Sequence, residues 1–133
     1  VSIRVDQALI NSFIAGSFGL PIAHENVAYT PTTGTPYAEI TVFDAGSEAA
    51  TLSTWDEVIG IFQVVLRYPV NTGAVAAKTK AEEIFSHFFL YSTHTYSDQS
   101  VQMTNGQTRG NGYSEDGWLK IVLRMPYRAF TAR

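Results

Sequence analysis

The stretch Glu57-Val58-Ile59-Gly60-Ile61-Phe62-Gln63-Val64-Val65-Leu66-Arg67-Tyr68 decides how the rest of the chain is read. β-Branched and aromatic residues dominate it, and successive side chains of a pleated strand point to opposite faces. Val58, Phe62, Val64 and Leu66 then share one face, and Ile59, Ile61 and Val65 the other. A strand that is apolar on both faces belongs in the interior of a sheet.

Working back towards the N-terminus, residues 37–43 alternate: Ala38, Ile40 and Val42 against Tyr37, Glu39, Thr41 and Phe43. This pattern predicts a strand with one apolar face. Between the two strands, residues 44–56 are small and polar around one large side chain, Trp55, and nothing in them packs by itself. They are expected to form a mobile loop in an isolated subunit. Residues 30–36, Thr-Pro-Thr-Thr-Gly-Thr-Pro, read as a turn-rich loop, and residues 22–29 as a short extended piece.

Residues 2–15 show the helical period. Val5, Leu9 and Phe13 make one stripe, and Ile3, Ile10 and Ile14 a second beside it. The combined arc is wider than docking on one sheet requires, so the helix is either deep in the core or shared with another subunit. Asp6 lies inside that arc but in the first turn, where a carboxylate complements the helix dipole. Gly16, Gly19 and Pro21 end the helix.

Working forward from the central strand, Pro69, Asn71 and Gly73 break it, and a second helix is predicted to about residue 89. Ala74, Ala77, Ala81, Ile84, Phe85 and Phe88 face its core side, and Lys78 with Glu82 and Lys80 with Glu83 decorate the other. The remainder reads as strand: a weak piece at 101–103, a turn at Asn105-Gly106, a possible strand at 107–113, and a long one at 118–127 after the hairpin signal Glu115-Asp116-Gly117. The order predicts an α+β fold for residues 1–133 as one domain. Its mostly antiparallel sheet has about four to six strands, with two helices packed on one face.

Few residues invite chemistry. The only candidate bases of the histidine type are His24, His87 and His94, and none stands in a nucleophile motif. His87 falls four residues after Glu83 on the charged side of the second helix, as a solvated surface histidine would. His94 sits in a polar connection, Tyr91-Ser92-Thr93-His94-Thr95-Tyr96. His24 and Glu25 are neighbours, so on a strand they face opposite sides. Asp44, Glu48, Asp56 and Glu57 lack calcium-loop spacing, which leaves only a hard cation held between subunits. Gly110-Asn111-Gly112 after Arg109 reads as a flexible hairpin tip rather than a phosphate cradle, since it launches no helix. No catalytic, cofactor or metal residues are assigned.

Composition narrows the rest. A chain of 133 residues buries roughly 68% of its unfolded surface. Charged residues make up only 16%, where about 25% is usual, so neighbours are expected to cover part of the surface. There is no cysteine, which removes disulfides, thiolate nucleophiles and the common zinc frameworks and fits assembly in a reducing cytoplasm. No long apolar run or leader-like start predicts membrane insertion or export. Net charge is −3 and the basic residues are scattered, so specific nucleic-acid reading is not expected.

Two stretches carry a resemblance. Gly19-Leu20-Pro21-Ile22-Ala23 through Glu25-Asn26-Val27, Pro31 and Gly34-Thr35-Pro36-Tyr37 to Val42 resembles the opening of a family of small phage tail proteins, in which Leu-Pro-x-x-x-Glu-Asn follows a helix and Pro-Tyr leads a strand. Gly60-Ile61-Phe62-Gln63-Val64 through Tyr68-Pro69 to Gly73 is similar to that family's central strand and the turn into its second helix. The family is that of tail terminators of long-tailed, siphovirus-type phages, including the lambda tail terminator. The resemblance implies a non-enzymatic homohexameric ring that caps the growing tail tube, ends its polymerisation and offers a surface for head attachment. Its implied partners are further copies of itself, the tail tube protein and a head-completion or connector protein, with DNA passing through the lumen unread and no membrane involved. It implies a place at the head-proximal end of the virion tail. Candidate contacts for subunit or tube are Ile3, Ile10, Ile14, Trp55, Arg109 and Asn111. Rival readings are a neck or tail-completion protein, a small enzyme using Glu39, His24 or the Arg109 loop, and a monomeric module binding a peptide at its sheet edge.

Overall fold

A computed structural model describes residues 3–25, 27–31, 34–49, 55–70, 74–115 and 117–132. Helix α1 (Ile3–Ala15) buries Val5, Ala8, Leu9 and Phe13, one stripe repeating every three or four residues. It stops at Gly16, where an added Cβ would lie 2.6 Å from the Phe18 ring. That ring folds back against Phe13, with centroids 5.0 Å apart.

The strands are β1 (Ile22–His24), β2 (Tyr37–Ala49), β3 (Trp55–Pro69), β4 (Thr93–Tyr96), β5 (Gln99–Met103), β6 (Thr108–Arg109), β7 (Tyr113–Glu115) and β8 (Trp118–Ala132), and helix α2 (Val75–His87) lies between β3 and β4. They form a single sheet in the order β1-β2-β3-β8-β5-β4, with β6 and β7 also paired to β8. β3 is interior, as its sequence predicts. It pairs antiparallel with β2 on one side and over its whole length with β8 on the other, from Trp55 opposite Ala132 to Pro69 opposite Trp118.

Phe62, Val64 and Leu66 of β3 meet Ile121, Leu123, Met125 and Tyr127 of β8 and Ala38 and Ile40 of β2 in the core, joined by Ala77, Ala81, Ile84 and Phe88 around α2, and Val58 is fully buried as well. Burying each large apolar side chain contributes about 1.5–3 kcal/mol. The opposite face carries Ile59, Ile61 and Val65, and no helix covers it among the described residues.

Several expectations need correction. The sheet has eight strands rather than four to six, and it is mixed, because β1 runs parallel to β2. β4, β6 and β7 span only two to four residues each, too few to show a period. The predicted loop at 44–56 is instead mostly strand: β2 continues to Ala49 and β3 begins at Trp55, with Glu48 opposite Glu57. A β-bulge between Asp44 and Gly46 shifts the register there and hides the alternation. Residues 50–54, the rest of that expected loop, lie outside the described residues. The possible strand at 107–113 reduces to Thr108–Arg109, with a separate strand from Tyr113. The Glu115-Asp116-Gly117 signal does mark a hairpin. Glu115 pairs with Trp118, and Gly117 adopts φ +83°, the left-handed conformation such a tight turn demands.

Candidate interaction surfaces

The bulge is fixed from both sides of the sheet's neighbouring strands. Tyr127, 1% exposed, donates its hydroxyl hydrogen to Asp44 Oδ1 at 2.6 Å, across from Gly60. A Cβ on residue 60 would stand 2.2 Å from the Phe43 carbonyl oxygen and 2.5 Å from the Tyr127 hydroxyl, so only glycine admits both groups. Burial, followed by the hydrogen bond to Asp44, raises the Tyr127 phenol far above its ordinary range.

Asp6 of α1 sits near this bulge. Its carboxyl is pushed up to about 6, first by burial, then by repulsion from Asp44 and Glu25. Its Oδ1 is buried and has no hydrogen-bond partner among the described residues. It lies in the first turn of α1, as its sequence position predicts, and burial outweighs what the helix dipole offers its charge. Asp6, Gln7, Ile3 and Ile10 line a groove of about 750 Å³ together with His24 and Glu25 at the end of β1. Ile3 is 70% exposed, while Ile10 is half-buried and packed against the core. Ile14 is exposed but does not line this groove. The second stripe of α1 thus divides into one core contact and two exposed residues at opposite ends of the helix.

The uncovered sheet face is organised in rows by strand register. Phe43, Ile61 and Pro126 stand side by side across β2, β3 and β8. The row to one side holds Thr41, Gln63 and Arg124, and the row to the other holds Ile59 and Arg128. Phe43, Ile59 and Phe130 are nearly half exposed. Arg124 Nε donates to Gln63 Oε1 at 3.2 Å, and Arg128 Nη2 to Gln102 Oε1 at 2.9 Å. At the far end Arg67 is paired with Glu39 and Lys120 with Glu115. Glu39 is thereby engaged in an ion pair on the open face, away from the Arg109 loop with which an enzyme reading grouped it.

The histidines proposed as surface or loop residues are neither. His94 is a β4 residue, 8% exposed, and His87 is half-buried between Phe18 and Phe88. Ser12 Oγ lies 2.9 Å from His87 Nε2 and 2.6 Å from His94 Nδ1, and Ser92 Oγ lies 2.9 Å from His94 Nε2. Burial, with repulsion from His87 second, lowers His94 to about 4. The ring is therefore neutral at pH 7, donating through one nitrogen and accepting at the other. A Ser–His contact suggests a nucleophile and its base, but both nitrogens of His94 end on serines and no carboxylate orients the ring. A base with so low a pKa also abstracts protons poorly near neutrality. The cluster ties α1 to β4 and to the end of α2. The partners that reveal it are buried Ser92, two residues from His94, and half-buried Ser12, 75 residues from His87 and 82 from His94.

Trp55 is 46% exposed and borders a cleft of about 450 Å³ with Arg4, Asp98, Gln99, Ser100, Phe130 and Thr131. Arg109 and Asn111 are exposed on the other flank of the sheet, where Gly110 N–H donates to the Val122 carbonyl. The structure therefore does not bring Trp55, Arg109 and the α1 isoleucines into one site. Among the described residues no group of three or more acidic or histidine side chains is arranged to hold a metal ion, and no helix is long and apolar enough to cross a membrane.

What these surfaces define is an α+β protein with an uncovered, half-apolar sheet face. The comparisons carry that class to a family. The sequence matches the family described as phage tail terminator protein over residues 4–127. The chain belongs to that family, whose members are structural components of phage tails rather than enzymes. One solved structure, 19% identical, superposes with a TM-score of 0.72 over 93% of this chain and 94% of the other, which establishes a shared fold. A search of curated protein sequences finds no match.

Proposed function

We propose that this chain closes a homohexameric ring on the end of a siphovirus-type tail tube, ends tube growth and then presents the surface to which the filled head attaches. The observation that carries this reading is family membership across residues 4–127. The uncovered, half-apolar sheet face supports it, since a ring subunit needs contact surface beyond its own core. Its partners are further copies of itself, the tube protein and a head-completion or connector protein. DNA passes through the lumen without being read, and the protein resides at the head-proximal end of the tail after assembly in the host cytoplasm.

Heterologous contacts that close on themselves make a ring, one side of which receives the tube while the other refuses a further tube ring. Deleting the gene is expected to give overlong tails without heads. Normal-length tails beside unjoined heads would sink the terminator reading and leave a head-completion role. Electron microscopy of the purified chain mixed with tube ends is expected to show one ring per end.

A further inference from the structure

The described ion pairs leave two sets of charges without opposite charges. Arg4–Asp98, Arg67–Glu39, Lys80–Glu83 and Lys120–Glu115 are formed among the described residues. None of them engages Asp6, Glu25 or Asp44 on the helix side of the sheet, and none engages Arg124 or Arg128 on its open side. Among the described residues Arg124 is hydrogen-bonded to the Gln63 amide oxygen, and Arg128 to that of Gln102, with its guanidinium 5.7 Å from the Phe130 ring centroid. Asp6 and Glu25 line a groove that also exposes Ile3, and Asp44, outside that lining, repels Asp6 as Glu25 does.

The two features match in chemistry as well as sign. Arg124 and Arg128 project from the same face of β8, roughly 13 Å apart at the rise of a strand, with the apolar row Phe43–Ile61–Pro126 between them. The groove sets the apolar sides of Ile3 and Ile10 beside carboxylates. An arginine-flanked apolar row is the composition of a protein contact core, where Arg and aromatic residues are enriched. A phosphate backbone would leave the row between the arginines wet and unpaired.

We infer that the open sheet face of one copy docks on the α1–β1 groove of the next, with Arg124 and Arg128 entering among Glu25, Asp6 and Asp44 of its neighbour. The inference rests on the ring reading and supplies its contact. Because face and groove lie on opposite sides of the sheet, the contact is head-to-tail, the kind that propagates around a ring rather than ending at a dimer. Charge pairs at the contact set partner and register.

The test uses two exposed positions, Glu25→Arg on the groove and Arg124→Glu on the face. Each variant should melt like the parent and, in light scattering with and without purified tail tubes, associate about a hundredfold more weakly. Mixed together, the two should assemble again, because an intact face meets an intact groove at one contact and the two reversed charges attract each other at the next. Glu25→Gln and Arg124→Gln should show the same direction with a smaller loss. If the parent assembles and either charge reversal assembles equally well, or the mixture stays monomeric, the contact is wrong while the ring reading stands. A parent that stays monomeric even on tube ends overturns both. Loss of DNA retention by Arg124→Glu with assembly untouched would assign the face to a polyanion and also overturn the contact.

Discussion

The two faces of the same three strands differ sharply in what they do. On the helix side of β3 and β8, Phe62, Val64, Leu66, Ile121, Leu123 and Met125 are fully buried. On the other side of the same strands, Ile59 is 46% exposed and Phe130 44%. Backbone, pairing and residue type are nearly shared, so the difference lies in cover. Apolar sequence on both faces of a strand marks where a chain is paired, but only tertiary structure shows which face the subunit closes for itself.

Substitutions on the two faces should separate accordingly, and the largest effect is expected at Phe62. Its ring packs among Phe13 and Phe88. Phe62→Ala should cost about 3–5 kcal/mol, read as a lower urea midpoint; a loss under ~1 kcal/mol would mean the helix-covered face is not the stabilising one. Gly60→Ala comes next, because its Cβ meets backbone and the Tyr127 ring rather than a flexible side chain. About 1–3 kcal/mol should be lost, and the bulge should move, visible as altered exchange of the amides around Asp44.

A smaller effect of opposite sign is expected at Asp6. Its folded pKa, about 6, is above the ordinary value of 3.8, so the folded state holds the proton more tightly. Stability is therefore lost as pH rises from about 4 through 6, and the full penalty applies above that. Asp6→Asn should stabilise the isolated subunit by about 1 kcal/mol at pH 7, a figure reduced for the partial solvent screening of this carboxylate, and the gain should fade below about pH 4. A gain that persists unchanged at pH 3.5 would mean the carboxylate's charge is not the cause. The smallest effect belongs to Ile59→Thr on the open face. Its melting should change by no more than about 0.5 kcal/mol, whereas a core-sized loss would show that the subunit already covers that face.

The sequence made the scaffold legible where periods were long. Val5, Leu9 and Phe13, and the two faces of β3, behave as their spacing predicts. The arm at 44–49 was not legible, because a bulge breaks alternation and small residues give no face to read. His94 was missed for a different reason: Thr93-His94-Thr95-Tyr96 looks polar throughout, and what lets its one buried side chain, His94, sit inside is a pair of serines that satisfy both ring nitrogens. The contact residues were legible only in part. Of the candidates named from the sequence, Ile3 and Trp55 are exposed, whereas Arg124 and Arg128 of the proposed contact were not legible, since scattered basic residues show no cluster until β-register aligns them.

The full-length pairing of β3 with β8 has a kinetic side. Trp55 meets Ala132 and Pro69 meets Trp118, so one whole edge of the central strand waits for a partner synthesised after α2 and four further strands. Closing such distant segments is slow compared with forming helices or hairpins. Until β8 leaves the ribosome, β3 offers an unclosed apolar edge, and both the arginine-bearing strand and the Tyr127 clamp on the bulge are missing. Under the contact proposed above, chains interrupted before that point lack the arginines that join neighbours, which makes translation of the last strand a checkpoint on assembly.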